Sequence, residues 1–192
     1  MVQTPSKPLT LEEFLQQPET KPAREYLHDR IVQKPMPQGK HSKIQYEFLA
    51  TVNSKVKPLR VALAFPELRC TFSGRSIVPD IVVLQWDRIP LDDRGEVANT
   101  ISTYPDWTIE ILSPQNNKSP SQTRVTDNIL HCLEAGCHLG WLIDPDERCV
   151  LVFPPGKQPK IYQEEQDILP VPEFIGELQL SVGQVFGWLK LY

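Results

Sequence analysis

Prolines punctuate this chain: all but a few of the nineteen stand between apolar runs rather than inside them, as in Pro35-Met36-Pro37, Pro154-Pro155 and Pro170-Val171-Pro172. Proline cannot donate a ladder hydrogen bond, so this pattern predicts short strands joined by stiff connections and excludes long uninterrupted elements. Two segments escape the punctuation and read as helices. From His41 to Val56 the apolar residues Ile44, Phe48, Leu49, Val52 and Val56 fall on one helical face. Val125, Ile129, Cys132 and Leu133 repeat that spacing in a second helix, which starts at Ser119-Pro120 and ends at Gly136.

Around these helices the remaining signals are short. Thr10 with Glu13 three residues on is a capping-box pattern for a brief helix over 11–15. A hairpin is expected to turn near Asp29-Arg30, and strands are expected at 67–72, 77–84, 107–112, 139–143 and 149–153. An edge strand at 160–162 and a last helix capped by Ser181 complete the list. Helices flanking a mostly central sheet imply a mixed α/β (α+β) layer architecture. With 192 residues, no internal repeat and no linker-like tract, the chain is expected to be one domain, 1–192.

Charge and composition narrow the function classes. The net charge of −4 opposes an indiscriminate nucleic-acid binder, yet its distribution is uneven. Residues 1–60 hold ten basic and six acidic residues; the rest hold ten and eighteen. That asymmetry fits either an unevenly charged solvated surface or a phosphate-facing basic edge beside an acidic centre. No stretch approaches the ~20 apolar residues of a membrane span, and the N-terminus lacks a signal peptide's apolar core. A cytoplasmic protein without membrane partners is therefore expected, its four cysteines reduced.

Two acids stand in unusual surroundings. Asp80 follows Pro79 in Ile77-Val78-Pro79-Asp80-Ile81-Val82-Val83-Leu84, and Glu110 lies inside Trp107-Thr108-Ile109-Glu110-Ile111-Leu112. Burying a carboxylate is expensive unless it is paired or binds a cation. Two of them on adjacent strands would repel unless a proton or a hard divalent ion intervened. The plainer alternative is that Asp80 caps a turn and Glu110 faces solvent from an edge strand. His131-Cys132 and Cys137-His138 look like zinc ligands, but Cys132 lies on the apolar helical face and His131 does not, so convergence on one ion is not expected.

Pro79-Asp80 followed thirty residues later by Glu110-Ile111-Leu112 resembles the PD-(D/E)XK signature of restriction-endonuclease-like nucleases. The surrounding text resembles one branch, the Uma-two family common in cyanobacteria. The similarity runs through Glu25-Tyr26-Leu27, His41, Pro79-Asp80-Ile81-Val82-Val83, Glu110-Ile111-Leu112-Ser113-Pro114, Ala135-Gly136 and Gly140-Trp141-Leu142-Ile143-Asp144-Pro145, from about Leu9 to Phe153. The resemblance implies a restriction-endonuclease-like core, a central mixed sheet flanked by helices. It further implies that Asp80, Glu110 and the main-chain carbonyl of Ile111 hold Mg²⁺ (or Mn²⁺), with Glu25 as an additional acid. DNA is the implied substrate and a homodimer the implied assembly.

The chain departs from that pattern where the lysine belongs. Leu112 stands two residues after Glu110, and Asn128 stands where the Uma-two branch places its lysine on the following helix. Lys118 and Arg124 are the nearby cations expected to serve instead, although arginine cannot act as a proton acceptor. The sequence therefore supports a Mg²⁺-dependent DNA endonuclease first. A nuclease scaffold retained for binding or assembly comes second, and a hydrolase of other phosphate esters third.

Overall fold

The computed structural model describes residues 9–113 and 122–191. The short helix α1 (Leu11–Leu15) begins at Thr10, whose side chain and that of Glu13 cap each other's backbone N–H groups. The hairpin β1 (Arg24–Leu27) and β2 (Arg30–Gln33) turns through His28 and Asp29, both at positive φ. Helix α2 (Gly39–Val56) follows, then β3 (Ala62–Pro66), β4 (Cys70–Phe72), β5 (Arg75–Ile77), β6 (Ile81–Gln85) and β7 (Trp107–Ile111). Helix α3 (Gln122–Ala135), β8 (Leu139–Asp144), β9 (Cys149–Phe153), β10 (Lys160–Tyr162) and α4 (Val182–Gly187) complete the described chain. The expected start of α3 at Ser119-Pro120 lies outside the described residues.

These strands form two sheets. One has four strands in the order β2-β1-β5-β4; the other has six, in the order β10-β9-β8-β7-β6-β3. Within the six-stranded sheet only β7 and β8 run parallel, and α3 lies in the connection between them. The sheet is therefore mixed, as the sequence implied. Its edges are β10 and β3, and Pro66 ends β3, where a missing N–H is tolerated.

The period-two alternation of β7 decides which residues meet which helix. Trp107, Ile109 and Ile111 join the main core with Ile44, Phe48, Val52 and Val56 of α2. Trp107 and Trp141 pack edge-on at 4.9 Å, and Phe48 of α2 meets both rings. Both tryptophans are thus core. Thr108 and Glu110 alternate to the other face of β7, on the side where Val125 and Ile129 of α3 pack on Leu142 and Phe153. Gly140 permits that approach: a Cβ there would stand 2.3 Å from Ile129 Cγ2.

The strand expected over 77–84 is divided. Ile77 ends β5 in the four-stranded sheet and Ile81 opens β6 in the six-stranded one, with Val78-Pro79-Asp80 crossing between them. Proline interrupts the ladder, and the freed backbone groups on either side need other partners. They find them in side chains: Val78 N–H donates to Glu25, Val78 O accepts from Lys34, and Asp80 O accepts from Gln45. Likewise the single expected strand at 67–72 is only β4, and β3 before it carried no clear alternation of its own.

Candidate active site

The crossing at Val78-Pro79-Asp80 places the acids. Asp80 is 3% exposed, Glu110 is 1% and Glu25 on β1 is 1%. Glu110 occupies a strand paired on both sides, β6 and β8, so it is not the solvent-facing edge residue of the plainer sequence reading. Asp80 is likewise no simple turn cap. Its Oδ1 accepts from Lys34 Nζ at 2.7 Å, and its Oδ2 accepts from the Ile111 backbone N–H at 2.8 Å. His41, near the start of α2, brings Nε2 to 3.1 Å from the same Oδ2.

Glu25 and Glu110 are joined through α3. Asn128 Nδ2 lies 3.3 Å from Glu25 Oε1 and 3.5 Å from Glu110 Oε1. The Val78 N–H gives Glu25 Oε1 a second donor at 2.9 Å. The other oxygen of each acid, Glu25 Oε2 and Glu110 Oε2, is buried without a hydrogen bond among the described residues. Lys34 Nζ is 3.9 Å from that Glu110 oxygen, and Arg124 Nε is 3.9 Å from that Glu25 oxygen.

The electrostatics separate the two central acids. Burial alone would raise Asp80, but the Lys34 charge and the His41 hydrogen bond outweigh it and hold its carboxyl well below the usual carboxylate range. Glu110 goes the other way. Its burial is opposed by Lys34 alone and reinforced by the negative Asp80 and Glu25, so its carboxyl is pushed well above the ordinary value. Burial would also weaken the ammonium of Lys34, yet Asp80, Glu110 and Glu25 together raise it above the usual lysine value. Burial and charged neighbours thus push the two carboxyls in opposite directions.

A pocket opens on this cluster, lined among others by Lys34, His41, Asp80, Glu110, Ile111 and Arg124. The expected residues Glu25, Asp80, Glu110, Ile111 and Arg124 thus gather in one place. Lys118 lies outside the described residues. Lys34 is the contact that sequence reasoning missed. It stands between an unremarkable strand and Pro35, one basic residue among ten in the first sixty, and nothing local marks it. The basic excess of residues 1–60 is in part neutralised, since Lys40 pairs with Asp146 and Lys43 with Glu47. His131 stacks on Phe72 at 4.5 Å while Cys132 is sealed in the core, so the zinc arrangement does not form.

Comparison with known proteins fixes the affiliation. A family model described as "Uma2: Putative restriction endonuclease" matches residues 11–183. The chain belongs to the Uma2 family. A crystal structure of "a putative nuclease belonging to DUF820" from Anabaena variabilis ATCC 29413 is similar to it at 55% identity and a TM-score of 0.91, with 95% of this chain and 100% of that one covered. A search among curated proteins found no match. The match confirms the restriction-endonuclease-like core expected from the sequence. In this Uma2 chain Leu112 packs against the α3-side cluster of Val125, Ile129, Leu142 and Phe153, with no charge to offer the pocket. Asn128 does face the acids.

Proposed function

We propose that the chain is a Mg²⁺-dependent endonuclease that hydrolyses DNA phosphodiester bonds at the Asp80/Glu110 cluster. The observation that carries this reading is a pair of buried carboxylate oxygens without a hydrogen bond among the described residues: Glu110 Oε2, on a residue that lines the pocket, and Glu25 Oε2, outside its lining. Desolvated carboxylate oxygens without donors are expensive unless a ligand meets them. An all-oxygen donor set suits a hard divalent ion, and Mg²⁺ is commonly held by only one or two carboxylates together with waters and substrate phosphate. No group of three or more His, Cys, Asp or Glu that could hold a metal ion occurs among the described residues, so the protein's own share would be one or two carboxylates.

Asp80 and Glu110 would hold the ion, with the Ile111 carbonyl assisting and Glu25 behind them. When bound, it supplies Lewis-acid polarisation of the phosphoryl oxygen and acidifies the attacking water. The chain's own groups do the positioning. The Ile111 N–H and His41 fix the orientation of Asp80, and the Val78 N–H with Asn128 fixes Glu25. In the reaction a water oxygen bonds to phosphorus, the bond from phosphorus to the leaving ester oxygen breaks, and the proton lost by water is balanced by one gained on that leaving oxygen.

The test is calorimetric titration of Mg²⁺ and Mn²⁺ into the wild type and Asp80→Ala/Glu110→Ala, beside plasmid cutting by both. Binding and cutting that vanish together in the double variant support the reading. Unchanged cutting by that variant would sink it. The Lys34–Asp80 ion pair favours a second reading, a scaffold whose acids are neutralised internally and which serves binding or assembly; a wild type that neither binds the ions nor cuts would select it. A homodimer in a cytoplasmic setting remains part of the proposal, tested by light scattering.

A further inference from the structure

Two buried carboxylates, Asp80 and Glu110, line this pocket together with the ammonium of Lys34. Lys34 Nζ donates to Val78 O at 2.6 Å and to Asp80 Oδ1 at 2.7 Å, while Glu110 Oε2 stands beyond bonding distance at 3.9 Å. An ammonium carries three N–H donors. Two are committed among the described residues, which leaves the third without a hydrogen bond there, on a side chain that lines the pocket.

Arg124 also lines the pocket, and its Nε has no hydrogen-bond partner, but it donates to the Gln33 carbonyl at 3.3 Å and stands 3.9 Å from Glu25, with no contact to Asp80 or Glu110 among the described residues. Asn128 touches both Glu25 and Glu110, but an amide brings no charge to them, and its own Oδ1 is buried without a partner. Leu112 is apolar. Positions 34 and 128 therefore serve one carboxylate cluster from two places, the residue just after β2 and the middle of α3, and in this chain the charge sits at position 34.

We propose that Lys34 is the catalytic cation of the site, presenting its free N–H and positive charge to a non-bridging oxygen of the phosphate bound in the pocket. The assignment rests on the nuclease reading above for its substrate. Pro35 directly after Lys34 limits the backbone there, and Val78 O anchors the ammonium, so the charge is fixed before substrate arrives. Preorganised charge of this kind contributes about 100-fold or more to rate in comparable sites.

The deciding experiment compares wild type, Lys34→Met, Lys34→Arg and the double variant Lys34→Met/Asn128→Lys. Two readouts are used: plasmid cutting in Mg²⁺, and the affinity for a short DNA duplex by fluorescence anisotropy in Ca²⁺. Lys34→Met is expected to slow cutting about 100-fold and to weaken duplex binding about tenfold. Lys34→Arg keeps the charge and retains more of both. Moving the lysine to 128 in the double variant restores at least a tenth of what was lost, which a merely structural role for Lys34 would not do. Lys34→Met that binds and cuts as the wild type does overturns the assignment and leaves the nuclease reading standing. A double variant that folds, by its thermal midpoint, yet gains nothing over Lys34→Met also overturns it. If the wild type binds duplex in a Lys34-dependent way but never cuts, the nuclease reading falls and the phosphate contact stands; if it binds no duplex at all, both fall.

Discussion

The Oδ2 atom of Asp80 accepts the backbone N–H of Ile111 at 2.8 Å, so the residue after Glu110 is hydrogen-bonded to the acid thirty residues before Glu110. One carboxylate thereby fixes the spacing of the two buried acids. It also ties the Val78-Pro79-Asp80 crossing to β7. Stability and the proposed chemistry at this point depend on the same atoms, and the consequences can be measured.

Asp80→Ala removes the partner of Lys34, His41 and the Ile111 N–H at once. Leaving a buried ammonium uncompensated costs about 3 kcal/mol or more. Urea unfolding should show that loss, and Asp80→Asn, which keeps the shape, should lose less. Equal stability of wild type and Asp80→Ala would refute the buried pairing.

Glu110→Gln should stabilise the metal-free protein at pH 8. The folded state raises the Glu110 pKa, through burial against the help of Lys34 and with Asp80 and Glu25 adding to the rise. The folded protein thus holds this proton more tightly than the unfolded chain does, and stability falls as pH rises from the ordinary carboxylate value through the raised one. Glutamine has no proton to lose. Its advantage should shrink towards pH 4, as followed by thermal midpoints in EDTA across that range, and an advantage that grew on acidification would contradict the assignment.

His131 carries the opposite sign. Burial, aided by the nearby Arg75 charge, lowers its pKa below the usual histidine value. The unfolded chain then binds the proton more readily, so stability is complete above the ordinary histidine value and declines as pH falls through that window towards the lowered one. The loss of thermal midpoint between pH 7.5 and 5.5 should be smaller in His131→Gln than in the wild type; identical losses would show that His131 does not contribute.

Gly140→Ala tests how closely α3 lies on the sheet. The added methyl would meet Ile129 Cγ2 at 2.3 Å, a clash expected to cost about 2 kcal/mol in urea unfolding. Ile129→Ala in the same chain opens the space, so the double variant should lose less than the two single losses added together. Strict additivity would mean that the two residues do not meet.

Several of these relationships were legible before any fold was known. The capping pair Thr10 and Glu13, the helical spacing of Ile44, Phe48, Val52 and Val56, and the capping Ser181 depend on neighbours within four residues, and all of them form as read. Asp80 and Glu110 announced themselves because a charged residue among β-branched ones is costly to bury, and both are buried. The single strand over 77–84 misled because its composition is continuous. Only Pro79 marks the place where β5 leaves one sheet and β6 enters the other.

By itself, then, the sequence determined the helices, the mixed α/β class, the family likeness and the two central acids, because each is written in short-range periodicity or in residues whose local surroundings are improbable. The tertiary structure alone decided which cation meets those acids. Lys34 is 46 positions from Asp80, and its ammonium arrives there because the β1–β2 hairpin pairs with β5 just where the chain crosses to β6. A salt bridge depends on distance in space, which local sequence does not encode for a lysine that could as well have faced water.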